Sequence, residues 1–118
     1  MGLQALNQQV QAAKAIGVKT IFSDAFSSGP VGADKLQLIG PYVWGQYGFD
    51  ANLPKKIANA IGAPEGITRV SQLYDDSALQ ARWKDHVLNN QFEMNMTLDP
   101  NGAGAERLKR LIQNQPAR

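Results

Sequence analysis

Apolar and polar residues along this chain change rhythm several times, and each rhythm predicts an element. Leu3, Leu6, Val10, Ala13 and Ile16 recur at steps of three and four, which lays one apolar stripe along an amphipathic helix. Gly17 stands where the residue that ends such a helix is expected. Val18 to Ala25 is short, apolar and rich in β-branched residues, so it predicts a buried strand. A helix closed by glycine and followed at once by a strand is an α/β unit with a tight connection. The cleanest alternation comes later. Phe92, Met94, Met96 and Leu98 interleave with Glu93, Asn95, Thr97 and Asp99, which predicts a strand with one wet face.

The intervening segments carry start and stop signals. Phe26 to Gly40, with Ser27-Ser28-Gly29-Pro30 and Gly32, has the composition of a loop. Pro41 suits the first turn of a short helix through Tyr47, with Gly48 as its stop. Asn52-Leu53-Pro54 opens a helix over Lys55 to Ile61, ended by Gly62. The chain reads as a single domain over 1–118, and Gly62-Ala63-Pro64-Glu65-Gly66 is its clearest break and the candidate boundary between two subregions. Val70, Leu73 and Tyr74 mark one or two helical turns, and Ser77 suits the cap of a helix to about Val87 with Leu79, Trp83 and Val87 inward. Pro100-Asn101-Gly102 ends the second strand, and Leu108, Leu111 and Ile112 mark a final helix. The fold class is α/β (or α+β), a small mixed sheet with several flanking helices. Two strands make a poor sheet, so others are expected from an unassigned segment, a second chain, or a larger fold of which this is a part.

Composition narrows the function classes. Of 118 residues, 43% are hydrophobic and 19% charged, ordinary for a globular domain with a real core. No apolar run approaches the roughly 20 residues that cross a bilayer, and the N-terminus lacks the basic and apolar regions of a secretory signal. The absence of cysteine excludes disulfides and thiolate catalysis, and is compatible with a reducing intracellular compartment. The formal net charge is only +2. Residues 104–118 hold four cations against Glu106, a net of +3, which leaves −1 for the first 103 residues. That concentration suits a solvated helix end. Nucleic-acid binding ranks last among the readings, because aromatics and cations are not interleaved.

Little in the chain has the spacing of catalysis. His86 is the only histidine, and Asp85 points about 100° away from it on a helix. A zinc site is not expected from one histidine and no cysteine. Asp75-Asp76-Ser77 has the look of a helix boundary and Asp99-Pro100-Asn101-Gly102 that of a turn. Ser23, Ser27 and Ser28 lack a histidine partner and a nucleophile-elbow pattern. Asp24 lies near the carboxyl end of the first strand, where open α/β sheets form ligand crevices. Tyr42, Trp44 and Tyr47, set among Gly40, Gly45 and Gly48, form the densest aromatic patch. With Asp24 they are the candidate ligand- or partner-binding residues, and the patch is expected to close over the end of the first strand and line a cleft. Catalytic and cofactor-binding residues stay unassigned, and no metal ligand is expected.

Two segments resemble GNAT-type acyltransferases. Residues 11–21, Gln-Ala-Ala-Lys-Ala-Ile-Gly-Val-Lys-Thr-Ile, are similar to the helix–glycine–strand unit of that family's second half. Trp44-Gly45-Gln46-Tyr47-Gly48-Phe49 is similar to its aromatic–three residues–Gly–Phe helix end. Over residues 8–50 the resemblance implies an acyl-CoA crevice beside the first strand, and an acyl-CoA-dependent acyltransferase if the chain is an enzyme. The family's glycine loop for the pyrophosphate has no counterpart before Gly17, and Trp44 holds the position of its tyrosine general acid. The first expectation is therefore a partial or degenerate GNAT-like α/β domain, with binding favoured over autonomous catalysis. The alternative is a structural or protein-interaction module, with a protein partner or a homo-oligomer, that uses the aromatic cluster 42–49 as its contact surface.

Overall fold

The computed structural model describes residues 3–32 and 34–114. In chain order the elements are α1 (Leu3–Ala15), β1 (Ile21–Ser28), α2 (Gly40–Gln46), α3 (Lys55–Ala60), α4 (Val70–Leu73), α5 (Ser77–Asn89), β2 (Gln91–Leu98) and α6 (Ala103–Gln113). The fold is mixed α/β. β1 and β2 pair antiparallel in one two-stranded sheet, from Ile21 opposite Leu98 to Ser28 opposite Gln91.

Three isolated bridges widen that sheet without adding a full strand. Ile39 pairs with Ser27 beyond β1, Asp50 pairs with Thr97 beyond β2, and Asn52 pairs in turn with Arg69. The extra strands expected from the sequence are thus reduced to single pairings in connecting segments. One strand also lies later than its propensity predicts. Val18 to Thr20 are β-branched or extended in preference, yet Val18 N–H is bonded back to the Ala13 carbonyl and Gly17 N–H to that of Lys14, with Gly17 at φ 82°. This is the Schellman closure of α1, and it delays the strand to Ile21. The same pairing ends α2, where Phe49 N–H bonds the Trp44 carbonyl and Gly48 N–H that of Gly45. Ile16, the last residue of the predicted stripe, falls beyond the helix and is 80% exposed.

The core gathers one face from each long element. Leu6 and Val10 of α1, Leu79, Trp83 and Val87 of α5, Met94, Met96 and Leu98 of β2, and Ala105 and Leu108 of α6 belong to one buried cluster with Phe49, Val70 and Leu73. α1 packs on α6, while α2 lies against both strands and against α5. Residues on both sides of the Gly62–Gly66 turn enter this same cluster. Asp76, rather than Ser77, caps α5, its carboxylate accepting from Ala78 N–H at 2.9 Å and Leu79 N–H at 3.2 Å.

Candidate interaction surface

Alternation divides the residues of the sheet between two faces. Ala25, Ser27, Met94, Met96 and Leu98 point inward and are buried. Outward point Phe22, Asp24, Phe26 and Ser28 of β1, opposite Thr97, Asn95, Glu93 and Gln91 of β2. That face is open. Phe22 is 69% exposed and Phe26 39%, so β1 is not the fully buried strand its apolar content predicts.

The β1 edge away from β2 is covered only at one end. Ser28 N–H bonds the Leu38 carbonyl at 3.1 Å, and Gly40 packs so closely on the Phe26 backbone that a Cβ there would lie 2.8 Å from its nitrogen. Even-numbered residues of β1 therefore direct their backbone groups to this edge. Among the described residues, no other element supplies a backbone hydrogen bond to Phe22 or Asp24. An unpaired stretch beside exposed phenylalanines is a template for strand addition. Leu36 and Leu38 in the neighbouring connection are also exposed, at 84% and 44%.

Of the four candidate binding residues Asp24, Tyr42, Trp44 and Tyr47, Asp24 alone lies on this face, accepting a hydrogen bond from Asn95 Nδ2 at 3.0 Å. Tyr42, Trp44 and Tyr47 lie elsewhere and are half-buried. Tyr42 meets Tyr74 at 5.9 Å between centroids, its hydroxyl accepts from Gln80 Nε2 at 3.1 Å, and Lys84 lies over its ring. Trp44 contacts Tyr47 at 6.2 Å and Phe49 at 5.1 Å. The Trp44–Phe49 contact joins the third-from-last residue of α2 to the second residue past its C-cap, Tyr47, the apolar clasp that accompanies a Schellman turn. The aromatic–Gly–Phe spacing is thereby accounted for as a helix stop. α2 does begin beside the end of β1, but the contacts of these rings are with Tyr74, α5 and Phe49, and Asp24 is not among them.

Two polar arrangements carry the remaining candidate chemistry. A hollow of about 490 Å³ is lined by Asp50, Arg69, Ser71, Asp75, Asp99 and Arg107, among others. Burial pushes the Asp50 carboxyl upward, but Arg69 Nε at 2.8 Å, both the N–H and hydroxyl of Ser71, and Ala51 N–H outweigh it and hold Asp50 below its ordinary value. A carboxylate so fully engaged is a structural clasp between two segments, 50–51 and 69–71, rather than a free base. His86 stacks on Trp83 with 11° between planes, and desolvation lowers its proton affinity against the opposing pull of Asp85. Burial raises the Tyr74 phenol, which donates to the Tyr42 carbonyl at 2.6 Å and accepts from Trp83 Nε1 at 3.1 Å. Among the described residues no cluster of metal-ligating side chains occurs, and no helix is long and apolar enough to cross a membrane.

No family model matches the chain, and searches of curated proteins and of solved structures find no match. The open face was not legible in the sequence: Phe22 and Phe26 are the large apolar residues of β1, and alternation alone would turn them inward and Ser23, Ala25 and Ser27 outward.

Proposed function

We propose that this chain is a protein-binding module that takes up an extended segment along the free edge of β1, rather than an autonomous catalyst. The observation that carries this reading is the exposure of Phe22 and Phe26 beside the unpaired backbone of Phe22 and Asp24. An added strand would complete those backbone hydrogen bonds and cover apolar surface in the same step. The contact surface moves accordingly from the aromatic cluster 42–49, whose rings are occupied with one another, to the outer face of the sheet.

A second reading, an incomplete GNAT-like unit, is favoured by the order α1–Gly17–β1 followed by α2–Gly48–Phe49. It too leaves β1 with an edge on which further strands belong. The two separate in one experiment. Titration of a neutral Val-Thr alternating peptide into the isotopically labelled chain is expected to shift the amide resonances of Phe22 and Asp24, while millimolar CoA leaves the melting temperature unchanged. Stabilisation by CoA, with no peptide response at β1, would overturn the binding-module reading in favour of acyl-CoA binding.

A further inference from the structure

Resting on the docking reading above, we propose that the segment accepted by β1 is a basic strand of a partner protein, in which apolar residues alternate with Lys or Arg. The chemistry is set by the two sides of the edge. On the inner side, residues of an added strand would lie beside Ile21 and Ser23, both half-buried at the margin of the core, so apolar side chains extend it. On the outer side they would lie beside Phe22 and Asp24. Cross-strand neighbours stand about 5 Å apart at Cβ, so a cation opposite Asp24 reaches the carboxylate and the face of Phe22 together.

Charge on the outer face has one sign. Its eight positions are Phe22, Asp24, Phe26, Ser28, Gln91, Glu93, Asn95 and Thr97 in the observed register, two carboxylates and no cation. Among the described residues neither Asp24 nor Glu93 has an ion-pair partner. Asn95 fixes Asp24 beside the free edge through its Nδ2–Oδ1 hydrogen bond, and Glu93 adds a field of the same sign one strand away. A second copy is the less suitable occupant. Joining two β1 edges would place two Asp24 and two Glu93 side chains on one continuous face without a compensating cation, and like charges across strands repel. The packing of Gly40 on Phe26 limits the added strand to the Phe22–Asp24 end.

The test compares two capped peptides, Val-Lys and Val-Glu alternating hexamers, against the full chain, together with a Val-Lys peptide N-methylated on alternate backbone nitrogens. The wild-type chain should bind the Val-Lys peptide about tenfold more tightly than Val-Glu, with the response centred on Phe22 and Asp24. The variant carrying Asp24→Lys and Glu93→Lys should invert that preference, and because both side chains are exposed its circular dichroism should match wild type. N-methylation should abolish binding. Equal affinity for the two peptides overturns the charge specification and leaves the docking reading standing, whereas no binding of either overturns both. Full binding of the N-methylated peptide rules out strand addition, and self-association that the peptides compete away makes a second copy the occupant.

Discussion

Ser27 is fully buried, with its hydroxyl 2.6 Å from the Val87 carbonyl and 2.7 Å from that of Asn90. Val87 lies in the last turn of α5, where carbonyls have no partner within the helix, and Asn90 is the extended residue that caps it. Gln37 Nε2 serves the same helix end by donating to the Leu88 carbonyl at 2.7 Å. Ser27→Ala should remove the one donor these two carbonyls share and cost about 1–3 kcal/mol, read as a lower urea midpoint with unchanged slope. A result within experimental error of wild type would show that the hydroxyl contributes nothing net. This role was not legible in the sequence. Ser27 reads there as one polar residue at the head of a loop, and its partner lies 60 residues away along the chain. Trp83, by contrast, was legible, because Leu79, Trp83 and Val87 repeat at helical spacing and all three are buried.

Helix ends and strand alternation were the readable elements. β2 lies where Phe92, Met94, Met96 and Leu98 put it, since one core face and one solvent face leave little freedom of register. β1 was displaced because local propensity at Val18 lost to the closure of α1 at Gly17. At the far end of α2, Gly48 combines a left-handed φ of 106° with a close approach to the backbone of Gly104 in α6. A Cβ there meets the Gly104 carbonyl, which belongs to a helix and cannot swing aside. Gly48→Ala should therefore destabilise by about 3 kcal/mol or more. Gly66→Ala, whose added methyl meets nothing within 4 Å, should be neutral or slightly stabilising. Paired thermal melts check both, and equal melting temperatures for the two variants would refute the packing argument. The sequence marks both glycines as breaks. Only the fold distinguishes a crowded one from a free one.

At the scale of the molecule, acid sensitivity follows from two partly buried groups at the margin of the core, Asp50 and His86. Asp50 is held below its ordinary value of 3.8, so its contribution is complete above that pH and is lost as pH falls through the lower value it has when folded. His86 is held below 6.5 by desolvation, so the folded state favours the neutral ring and loses stability as pH falls below 6.5. The urea midpoint should decline in two stages on acidification. His86→Gln should remove the upper stage and Asp50→Asn the lower, and a midpoint flat from pH 7 to pH 5 in the wild-type chain would contradict the first. Long-range pairing has a further consequence for biosynthesis. Ile21 meets Leu98, and α1 meets α6, so a nascent polypeptide leaving the ribosome carries β1 without its mate until β2, whose Asn95 lies 71 residues after Asp24, has emerged. Throughout that interval Phe22 and Phe26 belong to an unpaired segment, so this small domain carries the slow, aggregation-exposed step of long-range β pairing despite its helical content.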